Sequence, residues 1–322
     1  MTDFKFVVTP GPHLKESETT SNIMFWVVGA LLPITIGVIY LFGLSAFVVI
    51  AAAMVGAVGG EAFLHKVTKK SVSIGDGSAA ITGLLLALTL PPHIKWWIPF
   101  IGGFVAISLA KYIFGGLGFN VFNPALVARA ILVLSWPKLM TSAYVNTITV
   151  DAVSKATPLF VLKQAREGVI KLSPEKIWLL SKSFLFGNKA SVLGEASLVL
   201  LLIGAAILLW RKVITWHIPV SFIATVFILN FLVHGDPVFY IVAGGLTLGA
   251  FFMATDYVTG PLTKRGKIIY GVGCGAVTVL LRFFSNWAEG VMFAILFMNA
   301  WAPLIDRYTK PRPYGLLKES KA

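Results

Sequence analysis

Apolar residues gather into ten runs along this chain, at about 22–42, 45–64, 74–90, 96–115, 124–136, 192–210, 214–233, 238–255, 268–284 and 290–305. Most of them approach or exceed the roughly 18 residues that mark a membrane-spanning helix. They lack the strict alternation of apolar and polar positions that the strands of an outer-membrane barrel require. The pattern therefore predicts an all-α integral membrane protein of about ten transmembrane helices. The fifth run makes only about 20 Å of helix at 1.5 Å per residue, short of the approximately 30 Å hydrocarbon core. It opens at Asn123-Pro124, a favourable helix start, because proline's fixed φ is already helical and its missing N–H costs nothing there. The length it lacks is expected to be non-helical chain entering the membrane.

A polar stretch, 137–191, separates the fifth run from the sixth. Connections of that length tend to be functional or disordered, and this one closes on "EKIWLLSKSFLFG", which reads as an amphipathic patch lying along a membrane surface. The expected organisation is an N-terminal segment 1–21, a five-helix unit 22–136, the loop 137–191, a second five-helix unit 192–305 and a tail 306–322. The first 21 residues are polar and lack the apolar core of a cleavable signal peptide.

Composition agrees. Hydrophobic residues are 57% of the 322 and charged residues 13%, against about 25% charged in an ordinary soluble domain. The formal charge of +13 does not point to nucleic acid, because its Lys and Arg sit mostly between apolar runs and not on one soluble face. Placed with both termini in the cytoplasm, the inner connections hold "HKVTKKS", Lys111, "RKVITWH", "TKRGK" and the basic tail. The short outer connections "FGLS", "PPHIKWW", "HGDP" and "SNWAEG" hold only Lys95. This asymmetry is the positive-inside rule, and it puts 137–191 outside. Glu61 and His65 are then expected at the inner surface. Trp96, Trp97, Trp216, Trp287 and Trp301 read as interface anchors. The single Cys274 builds neither a disulfide nor a cysteine-ligated metal site within the chain, so any iron–sulfur cluster must belong to a partner.

Two segments resemble each other. "GGFVAISLAK" (102–111) and "GCGAVTVLLR" (273–282) share small residues at one end and a basic residue at the other, and are followed by "FNVFNPAL" and "FMNAWAPL". With five helices in each unit, the two units would be inverted relative to one another, an arrangement typical of transport proteins with midplane sites.

Within the long loop, Asp151-Ala152-Val153-Ser154-Lys155-Ala156-Thr157 reads D-x-x-S-x-A-T. It resembles the acceptor motif at which a flavin transferase attaches FMN through a phosphoester to the terminal threonine. Asp151 and Ser154 suit a turn held by side-chain to backbone hydrogen bonds, and Ala156 leaves room for the transferase. "TPGPHLKESETTSNIM" (9–24), "DGSAAITGLLLALTLPP" (76–92), "GLGFNVFNPALVARAIL" (116–132), "VDAVSKATPL" (150–159) and "FFMATDYVTGPLT" (251–263) together resemble the D subunits of Rnf electron-transport complexes. Those subunits are related to the B subunits of sodium-pumping NADH:quinone oxidoreductases, which usually carry a longer N-terminal extension. Tyr257 departs from the pattern, since the family often has proline there.

The resemblance implies a membrane flavoprotein subunit of a ferredoxin:NAD+ oxidoreductase that moves Na+ or H+ outward across a cytoplasmic membrane. It implies covalent FMN on Thr157, a non-covalent riboflavin as in the sister subunit, a flavin transferase for maturation, and partner subunits A, B, C, E and G through which ferredoxin and NAD+ act. Candidate sites for a second flavin are Asn120, Asn123 and Arg129 around the fifth helix start, with Thr255 and Asp256 at the end of the eighth run. For Asn120 and Asn123 the alternative is turn and cap chemistry, and for Arg129 a salt bridge to Asp256. Asp76 is a candidate for the ion path, since ionisable groups at membrane depth are functional by default, or a cap for the third helix. Two other readings stand beside this one: a quinone-reducing complex, and a passive channel or solute transporter without a chromophore.

Overall fold

The computed structural model describes residues 19–69, 74–142, 185, 192–234, 238–243, 245–285 and 290–311. Regular structure among them is helical throughout. The first unit holds α1 (Thr20–Phe42), α2 (Leu44–Thr68), α3 (Ser78–Leu88), α4 (Trp97–Ile107), α5 (Pro124–Ser135) and the short α6 (Pro137–Ser142). The second holds α7 (Leu198–Trp210), α8 (His217–His234), α9 (Val238–Val242), α10 (Leu246–Leu248), α11 (Lys264–Phe284) and α12 (Val291–Thr309). Two of these helices widen at their ends into π turns, α4 over Ser108–Tyr112 and α10 over Gly249–Met253.

Each apolar run contains helix. Among the described residues, α1, α2 and α11 are long and apolar enough to cross a membrane by themselves, and α3, α4, α5, α7 and α8 are shorter apolar helices. Their starts follow from polar side chains that take up otherwise unpaired N–H groups. Thr19 accepts from Asn22 N–H at 3.2 Å, Ser197 from Leu200 N–H at 3.5 Å and Thr263 from Gly266 N–H at 2.9 Å. The outside of the bundle is apolar: Tyr40 is 86% exposed, Trp210 78% and Phe284 86%. So broad an apolar surface suits contact with lipid, not water.

Small residues set the closest contacts. The most extensive helix pairings are α2 with α4 and α8 with α11. A Cβ added to Gly56 of α2 would run into the Phe100 carbonyl, and one on Gly103 of α4 into the Ala53 carbonyl. In the second unit a Cβ on Gly275 of α11 would lie 2.6 Å from Thr225 Cβ of α8. Lipid tails are as apolar as leucine, so helices in a membrane gain by close backbone approach, which these glycines permit.

One element differs from expectation. The eighth run, 238–255, reads as one continuous apolar span, yet its helix is interrupted between α9 and α10. Helix resumes after Gly245 at φ +68°, and α3 likewise begins after Gly77 at φ +78°. Only glycine adopts such backbone without steric cost, so these two glycines position the ends that line the site.

Candidate functional site

The helix start expected at Asn123-Pro124 is present and lies at the centre of the bundle. Asn123 Oδ1 accepts from the N–H groups of Ala125 at 3.1 Å and Leu126 at 3.3 Å. Its amide nitrogen donates to the Met253 carbonyl at 3.2 Å, across 130 positions of sequence. With the Asn299 amide oriented to satisfy both its ends, its oxygen accepts from Asn123 N–H at 3.1 Å and its nitrogen donates to Tyr270 Oη at 2.5 Å. Asn123, Asn299 and Tyr270 are all buried. The start of α5 and the end of the α10 π turn therefore meet, joined by amides that a membrane interior could not otherwise accommodate.

Two cavities flank this junction. A larger one, of about 90 Å³, is lined by Ser78, Lys111, Asn120, Asn123, Thr255 and Asp256 among others. A smaller one, of about 60 Å³, is lined by Thr89, Arg129, Val192, Met253 and Met292 among others. Asn120, Asn123, Thr255 and Asp256 are thus brought together, while Arg129 belongs to the other cavity and Asp256 does not line it. The Asp256 carboxylate instead accepts from Val258 N–H at 3.4 Å and Thr259 Oγ1 at 3.1 Å, and Thr255 Oγ1 donates to the Phe251 carbonyl at 2.6 Å. Tyr257, the departure from the family pattern, donates its hydroxyl to the Val213 carbonyl. Asn120 Nδ2 reaches the Phe122 carbonyl at 3.3 Å, a turn contact of the kind expected as its alternative.

Asp76 caps α3: its Oδ1 accepts from Ser78 N–H at 2.8 Å and from Ser78 Oγ at 2.6 Å. The same serine hydroxyl lies 2.6 Å from Lys111 Nζ, and that ammonium lies 2.6 Å from Glu61 Oε1. Two of the sequence expectations are corrected here. Glu61 and His65 do not stand open to solvent but are buried in the bundle, 2% and 8% exposed, and Lys111 is not a loop cation but lies in helix, 3% exposed. The π turn over Ser108–Tyr112 carries Lys111. It is anchored to the end of α2 where the Tyr112 and Thr68 hydroxyls bond and His65 packs edge-on to the Tyr112 ring at 5.6 Å. Inserting such a turn rotates the residues that follow, which is why π turns recur at functional sites. Here it brings a lysine inward.

Sequence reasoning missed this pairing because its members are 50 and 33 positions apart and no spacing rule links them. The signal available was a lone Glu61 inside an apolar run. Glu195, 8% exposed at the start of the second unit, and Asn299 were missed for the same reason. Arg282 is buried as well, donating to the Tyr240 carbonyl at 2.7 Å and the Ala243 carbonyl at 3.1 Å. Of the aromatic anchors, Trp96, Trp216 and Trp301 are exposed, and Trp97 packs edge-on against Trp136 at 5.2 Å. Trp287 and the whole D-x-x-S-x-A-T stretch, Asp151 to Thr157, lie outside the described residues.

A buried ion pair, hydroxyls and amides around these small spaces offer the oxygens that small ions bind. Among the described residues no three His, Cys, Asp or Glu side chains are grouped to hold a metal ion.

Comparison with known proteins agrees with this membrane architecture. The D subunit of the Na(+)-translocating ferredoxin:NAD(+) oxidoreductase complex of Acetobacterium woodii is 41% identical over 321 residues, covering 100% of this chain and 99% of the relative. The D subunit of the proton-translocating ferredoxin:NAD(+) oxidoreductase complex of Clostridium ljungdahlii is 43% identical over 318 residues, 96% of each. The D subunit of the ion-translocating oxidoreductase complex of Methanosarcina acetivorans is 38% identical over 311 residues, 96% of this chain and 97% of the relative. The model of the NQR2, RnfD, RnfE family matches residues 7–315, and with end-to-end identity at this level the chain belongs to that family.

Proposed function

We propose that this chain is the membrane-embedded, flavin-carrying subunit of an oxidoreductase that passes electrons from ferredoxin to NAD+ and moves a monovalent cation outward. The observation that carries the reading is its likeness, over nearly the full length of both chains, to relatives named as the D subunits of such complexes. Ferredoxin and NAD+ are handled by partner subunits A, B, C, E and G, and the ferredoxin-to-NAD+ reaction needs them because this chain has a single cysteine and so no iron–sulfur ligand set of its own. The relatives do not specify the ion, since one is named for Na+ and another, equally similar, for protons.

Thr157, within Asp151, Ser154 and Ala156 of the flavinylation motif, takes FMN through its hydroxyl oxygen. This rests on the sequence motif. When bound, flavin supplies a relay that accepts and releases electrons singly, while the protein sets its position and potential. The non-covalent riboflavin that the resemblance implies is given no site here, and no step is assigned to it. The residues around the larger cavity serve the ion: Asn120, Asn123, Thr255 and Asp256 supply oxygens and amides to a small hydrated cation.

The architecture proposed for this role is ten spans in two inverted five-helix repeats, set in the cytoplasmic membrane with both termini inside and the 137–191 loop outside. Three observations support the repeat. The dominant pairs α2–α4 and α8–α11 hold matching places in the two units. Lys111 and Arg282, ends of the two similar segments, are both buried. Asn123 and Asn299, from the two similar sequences that follow, bond to each other, as residues near a pseudo-two-fold axis would.

In-gel flavin fluorescence of the denatured chain tests the tether: wild type is expected to fluoresce and Thr157→Ala to be dark, and a signal surviving the substitution refutes the attachment point. The purified complex is expected to reduce NAD+ with reduced ferredoxin; reduction of quinone instead would favour the sister enzyme, and a chain without flavin would favour a passive transporter. A cysteine at Ser173 is expected to react with an impermeant thiol reagent in intact cells, and labelling only after lysis would reverse the topology.

A further inference from the structure

A single ammonium group stands between the larger cavity and a buried carboxylate. Lys111 and Ser78 line the cavity, whereas Glu61 does not. Lys111 Nζ is 2.6 Å from Ser78 Oγ on the cavity side and 2.6 Å from Glu61 Oε1 behind it. Glu61, 2% exposed, keeps its second oxygen, Oε2, buried and without a hydrogen-bond partner among the described residues. A carboxylate in so apolar a bundle must be neutralised, and the group that does so is on a flexible four-carbon stem.

The choice of lysine matters. Its ammonium is compact and has three freely rotating donors, unlike the planar guanidinium fork of arginine. It occupies the place, and supplies the charge, of a small monovalent cation. The atoms it bridges are oxygens, the ligand type that hard cations take, and Ser78 Oγ continues at 2.6 Å to Asp76 Oδ1. Swinging the ammonium out would leave Glu61 Oε1 and Ser78 Oγ facing one vacated point, with the unpartnered Oε2 on the same carboxylate and Asp76 next along the chain of oxygens.

Resting on the cation-translocation reading above, we infer that Lys111 is the resident cation of a closed carboxylate site at Glu61. A monovalent cation entering from the cavity reaches Glu61 only by displacing the Lys111 ammonium. Two positive charges are not held there together, because the site offers one carboxylate and burial makes an unpaired charge costly. The tethered and the free cation exchange, and the buried site stays neutral throughout.

The test uses the whole complex reconstituted in liposomes, driven by reduced ferredoxin and NAD+, with ²²Na+ flux and an entrapped pH-sensitive dye read in parallel. Two conservative variants avoid an unpaired buried charge. Glu61→Gln with Lys111→Gln removes both partners, a change that buried pairs often tolerate, and Lys111→Arg keeps the charge but replaces the compact ammonium by a fork. In both, assembled complex measured by native gel and flavin fluorescence is expected within twofold of wild type. Cation transport per assembled complex is expected to fall more than tenfold. A merely structural ion pair predicts transport unchanged in both variants, and unchanged transport in either one overturns the inference. If the wild-type complex itself moves neither Na+ nor H+, the translocation reading fails first, and that outcome is distinct from a variant-specific one.

Discussion

At the end of α4, Lys111 is buried against the Glu61 carboxylate; at the end of α11, Arg282 is buried against two backbone carbonyls, Tyr240 at 2.7 Å and Ala243 at 3.1 Å. Both residues close similar segments, and both are cations in an apolar bundle, but these partners differ in kind. Tyr240 and Ala243 lie at the end of α9, where the helix is interrupted and its last carbonyls have lost their intrahelical donors. A planar guanidinium with donors in a fixed fork suits two carbonyls in fixed positions. Arg282 thus fastens a broken helix. Glu61, by contrast, is a full negative charge that any small cation can neutralise, and its partner is a compact ammonium with freely rotating donors. One contact is built to hold and the other to exchange.

That contrast can be broken or sharpened by substitution. The largest effect is expected from Lys111→Met, which leaves Glu61 buried and uncompensated at a cost of about 3–5 kcal/mol. Assembled complex on a native gel should fall sharply, and adding Glu61→Gln should restore most of it. If the double substitution is as damaging as the single one, the loss is one of packing and not of charge. Arg282→Met is expected next, about 1–3 kcal/mol from carbonyls left unpaired. Its thermal midpoint should drop, because the Tyr240 and Ala243 carbonyls lose the guanidinium that donates to them.

Asn123→Ala tests the junction that both ends share. Losing the α5 cap costs about 1 kcal/mol, and the Met253 carbonyl loses its donor as well, so the midpoint should fall by an amount comparable to Arg282→Met. Asp76→Asn should be the mildest, below about 0.5 kcal/mol, since an amide oxygen still accepts from Ser78 N–H. A larger loss of stability in that variant would show that Asp76 carries charge the Glu61–Lys111 pair depends on.

Part of this architecture is legible in the pattern of residues alone. Ten apolar runs each contain helix, and the Asn123-Pro124 start lies where the pattern of proline and a capping amide puts it. The segments 102–111 and 273–282 each close on a basic residue, Lys111 and Arg282. Other features are not legible there. Glu61 in a glycine-rich run looks like a surface acid, because one carboxylate near a span end is what an interface tolerates. Its burial depends on Lys111 being turned inward by a π turn, and hydrophobic periodicity carries no sign of such a turn. The interruption between α9 and α10 is hidden in the same way, because glycine and alanine in an apolar run read as continuous helix.

What the sequence determined by itself is the environment and the kinship: long apolar runs demand lipid, and separated motifs in a fixed order identify the family. These properties are local or additive along the chain. Tertiary structure alone decided which polar groups meet. Glu61, Ser78 and Lys111 come from three helices, and Asn123, Met253 and Asn299 from both units. In an apolar interior each such group has to find a partner, and which one it finds depends on how glycines bring the helices together and where π turns rotate them.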